Sequence, residues 1–184
     1  MTQSPARLTR TAAVLLLASL SACSGSKRAA PPQGDAGVVV TPNQLQACAD
    51  VPLCEAGCRN GAAEDCLAAA TSYGAGQGAP RDEARSAALF GAGCALGSGP
   101  GCTLAGRAYE FGHGVSVDFP KAFSFYEKAC GGGYIAGCYN VAILLEKGRG
   151  TPKDDARAAS LYAKVCAAGS QVACESAERL KPAR

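Results

Sequence analysis

Along most of the chain, short apolar-periodic runs alternate with glycine-rich breaks, and the alternation recurs on one spacing. Runs from Cys66 to Tyr73, Cys102 to Phe111 and Cys138 to Lys147 carry the periodicity of a helix with one apolar face. Each stops at a Gly-X-Gly: Gly76-Gln77-Gly78, Gly112-His113-Gly114 and Gly148-Arg149-Gly150. An aspartate follows in register, at Asp82, Asp118 and Asp154, where its side chain can cap a second helix. Arg85, Lys121 and Arg157 stand three positions on. The second helix carries Leu89/Phe90, Phe125/Tyr126 or Leu161/Tyr162, the bulkiest packing residues, and ends at Cys94, Cys130 or Cys166. Three near-complete units of 36 residues are predicted, starting at Cys66, Cys102 and Cys138. Such self-similarity marks a repeat array, in which each unit buries its apolar face only against its neighbours.

The ends read differently. Asn43 to Asn60 is expected to form an N-terminal cap, with Thr41-Pro42-Asn43 as a helix start and Pro52 dividing it into two short helices. Cys174 to Leu180 supplies a last helix, polar in Glu175, Glu178 and Arg179, as suits the solubilising end of an array.

Four cysteine pairs share the period: Cys58/Cys66, Cys94/Cys102, Cys130/Cys138 and Cys166/Cys174, eight positions apart within each pair. On one unbroken helix that separation is roughly 12 Å, whereas a disulfide tolerates about 4.4–6.8 Å between Cα atoms. Bonding therefore requires the chain to turn back between the two cysteines. Asn60-Gly61, Gly97-Ser98-Gly99-Pro100-Gly101, Gly131-Gly132-Gly133 and Gly169-Ser170 permit that turn. Cys48 and Cys54 lie outside the frame and pair with each other by elimination, although ten cysteines allow many connectivities. Zinc is the rival reading, and only Cys54/Cys58 has a spacing that suits it. The neighbours Cys48 and Cys66 are easier to explain as disulfide partners, so no metal and no cofactor is expected.

The N-terminus sets the compartment. Arg7 and Arg10 precede the apolar run Ala12-Ala13-Val14-Leu15-Leu16-Leu17-Ala18, which is too short for a permanent span and reads as a signal peptide over residues 1–22. Leu20-Ser21-Ala22-Cys23 resembles a bacterial lipobox, which implies a lipid on Cys23, and Ser24 after it favours the outer membrane, facing the periplasm. Residues 23–42, rich in Ser, Gly, Ala and Pro, read as a flexible tether, leaving 43–184 as the repeat domain. Eleven cysteines in 184 residues fit an oxidising envelope, and setting Cys23 aside leaves an even ten. Losing Arg7 and Arg10 takes 18 basic residues to 16 against 15 acidic, so no nucleic-acid surface is expected. The 48% apolar content is inflated by alanine, with five Phe and no Trp, which suits a thin helical stack better than a large core.

Tyr109-Glu110-Phe111-Gly112-His113-Gly114-Val115, then Asp118, Lys121-Ala122 and Phe125-Tyr126-Glu127-Lys128-Ala129, resembles the Sel1-like repeat, a relative of the tetratricopeptide repeat. The match covers about Thr41 to Leu180 and is looser in the first unit, where Ala69, Ala70 and Ala75 replace larger residues. The resemblance implies an all-α, right-handed α/α solenoid with a concave face. The cysteine frame is similar to that of the cysteine-rich secreted Sel1 proteins, which implies disulfides joining the end of one helix to the start of the next. It also implies, as an alternative function, β-lactam binding or hydrolysis.

The residues offer that alternative little. Ser24-Gly25-Ser26-Lys27 spells SxxK, but it lies beside the lipid site with no SDN or KTG elsewhere. His113 is the only histidine and sits where Gln77 and Arg149 stand in the other units, an exposed loop position. Asp82, Asp118 and Asp154 recur with the period and read as caps, and no departure from that period is evident that would mark a catalytic site. A monomeric scaffold for a protein or peptide is the better-supported expectation. Arg107, Asn140, Ile143 and Lys147, which vary between units, are the candidates for its binding face.

Overall fold

The computed structural model describes residues 46–181. Among them the chain forms eight helices and no strand: α1 (Val51–Arg59), α2 (Ala63–Ala75), α3 (Glu83–Ala95), α4 (Gly99–Phe111), α5 (Phe119–Gly131), α6 (Ile135–Lys147), α7 (Asp155–Ala167) and α8 (Gln171–Arg179). Each helix packs chiefly on its neighbours in sequence, with lesser contacts of α4 on α6 and α3 on α5. The result is an all-α solenoid of three full helix pairs between two half-units. By register α1 is a shortened second helix and α8 a shortened first helix.

Local chemistry sets the helix ends. Asp82, Asp118 and Asp154 accept from the backbone N–H of Arg85, Lys121 and Arg157 at 2.9, 2.9 and 2.8 Å, each satisfying a first-turn donor without an intrahelical partner. α2, α4 and α6 end on Gly76, Gly112 and Gly148 in the left-handed conformation.

Two boundaries differ from the sequence reading. The first helices begin three residues before Cys66, Cys102 and Cys138, because the turns between units need only three residues and a serine such as Ser98 starts the next helix at once, accepting from Gly101 N–H. Pro52 does not divide the N-terminal cap. It lies in the first turn of α1, where no N–H is needed, behind Asp50, which caps Leu53. Thr41-Pro42-Asn43, the tether and Cys23 fall outside the described residues.

Disulfides join Cys48–Cys54, Cys58–Cys66, Cys94–Cys102, Cys130–Cys138 and Cys166–Cys174. The four in the repeat frame hold Cα atoms 4.3–4.6 Å apart and bridge one helix to the next across every junction between units. Cys54 and Cys58 thus have different disulfide partners and do not form a ligand pair.

The core is thin and built from small side chains, as the alanine-rich composition predicts. Ala69, Ala70, Ala105, Ala122, Ala142, Ala158 and Ala173 are fully buried, which lets helix backbones approach closely. Tyr126 is the largest fully buried side chain, and its ring lies against α4 at Gly106, where a Cβ would fall 2.6 Å from it.

Burial pushes the Tyr126 and Tyr162 phenols well above the usual tyrosine range, and their hydrogen bonds to Glu110 and Glu146 add to the shift. A folded pKa raised above the unfolded value of about 10 means stability that is complete below that pH and lost as pH rises through it. The melting temperature is accordingly expected to hold from neutrality to about pH 9 and then to fall. Melts across that range, with absorbance at 295 nm to follow phenolate, check this. A double Tyr126→Phe, Tyr162→Phe variant should show a shallower fall, and an equal fall would assign it to other groups.

Candidate functional site

Repetition makes the three junctions between the first and second helix of a unit directly comparable, and two of the three are closed by the same pair. At the second, Tyr126 Oη donates to Glu110 Oε2 at 2.7 Å. At the third, Tyr162 Oη donates to Glu146 Oε2 at 2.9 Å, and Arg179 donates to the other oxygen of Glu146 at 2.7 Å. The Arg179 guanidinium, helped by the Tyr162 hydroxyl, holds Glu146 below the usual carboxylate range. Tyrosine on the second helix and glutamate on the first therefore fill the angle between helices and tie them together.

At the first junction both positions change. One period before Glu110 and Tyr126 stand Gly74 and Phe90, which have neither the carboxylate nor the hydroxyl. A cleft of about 320 Å³ opens there among α2, α3 and α4. Its floor is apolar: Phe90, Leu104, Ala87 and Ala108, of which Phe90 is 7% and Leu104 4% exposed. Its rim is charged and polar: Arg81, Glu83, Arg107, His113 and Ser86. Arg81 pairs with Glu83 across the start of α3. Ser86 Oγ donates to the Ala70 carbonyl at 2.7 Å and lies 3.1 Å from where a Gly74 Cβ would sit. The period is therefore broken at one junction, contrary to the sequence reading. Such a cleft, apolar below and polar at the mouth, is at the small end of the roughly 300–1,000 Å³ typical of ligand pockets.

The sequence candidates distribute unevenly about this cleft. Arg107 lines it, half-buried on α4, and its charge also acts on the Tyr126 phenol. Asn140 and Ile143 occupy the matching places at the next junction, on α6, where Ile143 packs on the core around Val141 and Leu145. Lys147 is exposed at the end of α6. None of these three reaches the cleft. His113 is exposed, as the sequence predicts, yet it stands at the mouth with its ring 6.0 Å from that of Phe111. Gly74, Phe90 and Ser86 were missed, although aligning the units by their period exposes them as Gly–Glu–Glu, Phe–Tyr–Tyr and Ser–Ala–Ala columns.

Among the described residues, eight helices in paired register, stapled between units and open at one junction within a unit, define a helical repeat array with a single cleft of this kind. The chain belongs to the Sel1 repeat family, whose model matches residues 63–98, 100–134 and 135–170, one match per unit. Among solved structures it is similar to a Sel1 repeat protein from Oxalobacter formigenes (23% identity, TM-score 0.64), covering 70% of this chain and 97% of that one. It is also similar to a protective antigen of uropathogenic Escherichia coli strains displaying an SLR fold (25% identity, TM-score 0.66), covering 71% of this chain but only 28% of the antigen. A third likeness is to Helicobacter pylori cysteine-rich protein B (28% identity, TM-score 0.54), covering 68% of this chain and 90% of that one. No curated protein matches.

Proposed function

We propose that the chain is an envelope lipoprotein, held by a lipid on Cys23, whose solenoid is a scaffold for a protein or peptide partner. The observation that carries the reading is the open junction. Two junctions are sealed by a Tyr–Glu pair, while the first leaves a cleft with an apolar floor and a charged rim beside Gly74 and Phe90. Five disulfides brace the array, so the face is largely preorganised and binding loses little to ordering. The lipobox at Leu20 to Cys23 supplies the anchor, and the acylated, oxidising envelope is where ten paired cysteines persist.

Photo-crosslinking in intact cells tests this. A benzophenone side chain at Ala75, on the cleft, is expected to give a discrete adduct in the membrane fraction, and one at exposed Lys128 on α5 is not. Identical adduct patterns from the two positions would contradict a cleft-directed scaffold. Recovery of a Cys23→Ser variant from membranes in undiminished amount would contradict the lipid anchor.

A further inference from the structure

The repeat register points to what the cleft holds. At the third junction one carboxylate, Glu146, is met by Tyr162 and Arg179. Two periods earlier the matching positions are Gly74, Phe90 and Arg107: the cation is kept, and the residue that carried the carboxylate has been reduced to a hydrogen. Ser86 marks the same change. Its counterparts Ala122 and Ala158 leave room for a glutamate Cβ, whereas Ser86 Oγ crowds the Gly74 position at 3.1 Å. The first junction is thus shaped to receive from outside what the other two supply from within.

We propose that this cleft binds a glutamate side chain presented by the partner, its carboxylate meeting Arg107 as Glu146 meets Arg179, and its methylenes lying on Phe90 and Leu104. This deepens the scaffold reading and rests on it. A guanidinium has five N–H donors in a fixed fork, so Arg107 can donate to a ligand carboxylate alongside the interaction it already makes, while its charge acts on the Tyr126 phenol. Phe111, 57% exposed and flanked by His113 at the mouth, provides an apolar shelf beside the site. The preferred ligand is therefore a glutamate next to an apolar residue within a chain, and not an isolated small acid.

The test uses the full mature protein, disulfides intact, and three pentapeptides: N-acetylated and C-amidated Ala-Leu-Glu-Leu-Ala, the same peptide with Gln for Glu, and that Gln peptide with a free C-terminal carboxylate. Titrations followed by backbone amide NMR shifts are expected to saturate at millimolar glutamate peptide, with the shifts centred on Gly74, Phe90 and Arg107. Both Gln peptides should bind about ten-fold more weakly or worse, as loss of a charge-assisted hydrogen bond implies. A Gly74→Glu, Ser86→Ala, Phe90→Tyr variant rebuilds the sealed junction. It should melt higher than the parent and lose peptide binding, so that the loss cannot come from unfolding. Arg107→Met should weaken the glutamate peptide to the level of the Gln peptide. Equal binding of Glu and Gln peptides, preference for the free C-terminus, undiminished binding to the filled variant, or no binding at all would each overturn the assignment. A site-dependent adduct at Ala75 together with any of those results would leave the scaffold standing and remove only the glutamate.

Discussion

Replacing Gly150 with alanine is expected to cost about 3 kcal/mol or more, a large share of the roughly 5–15 kcal/mol by which domains of this size are stable. Two effects combine. The residue has φ +72°, a conformation that costs an L side chain about 1–2 kcal/mol. Its Cβ would also fall 2.3 Å from the Phe119 carbonyl carbon and 2.5 Å from Pro120 N. Those atoms are backbone at the start of α5, fixed by the Asp118 cap, so no flexible side chain can yield. The second glycine of each Gly-X-Gly is where one unit's loop rests on the previous unit. Gly114 repeats the contact against Glu83 and Ala84. Gly133 is the control: φ is +85° but nothing lies within 4 Å of its missing Cβ, so Gly133→Ala should show the conformational cost alone. Urea unfolding of the two variants isolates the contact between units, and equal midpoints would show that the close approach contributes nothing.

Full reduction should abolish cooperative folding. Each repeat-frame disulfide closes a short loop and constrains the unfolded chain by about 2–3 kcal/mol in the entropic model. Even with incomplete additivity, five such bonds rival the whole stability of an array whose core is rich in alanine. Burial sets an order. Cys66 and Cys138 are fully buried and Cys102 is 3% exposed, while both cysteines of Cys48–Cys54 and of Cys166–Cys174 are half-buried, at the two ends of the array. Graded reductant is therefore expected to open the two terminal bonds, Cys48–Cys54 and Cys166–Cys174, first, and loss of the helical circular-dichroism signal should accompany the three inner bonds. An unchanged melt in a sample shown by thiol counting to have all ten cysteines of the array free would contradict the stapling.

Much of this architecture was legible because a repeat writes each rule several times. Gly76, Gly112 and Gly148 with Asp82, Asp118 and Asp154 mark the joint within each unit, and the cysteine frame marks the joint between units. Helix starts are less legible: the apolar runs begin at the cysteines, whereas a three-residue turn lets each helix begin three residues earlier. The cleft was harder to see. Phe90 differs from Tyr126 and Tyr162 by one hydroxyl, and Gly74 near a helix end looks like ordinary fraying. Only the cross-helix pairing of positions 16 apart, shown by Tyr126 with Glu110, makes the two changes one event. Ala75, where Phe111 and Lys147 stand in the other units, is the visible trace of the same loss of bulk beside Gly74.

The most direct test of the central claim, that one open junction makes this array a partner-binding scaffold, is to repeat the Ala75 crosslink in the Gly74→Glu, Ser86→Ala, Phe90→Tyr background. Loss of the adduct from a protein that melts at least as high as the parent is the expected result. An adduct of undiminished yield with the junction sealed would mean that the partner is held elsewhere on the solenoid and that the cleft is not its site.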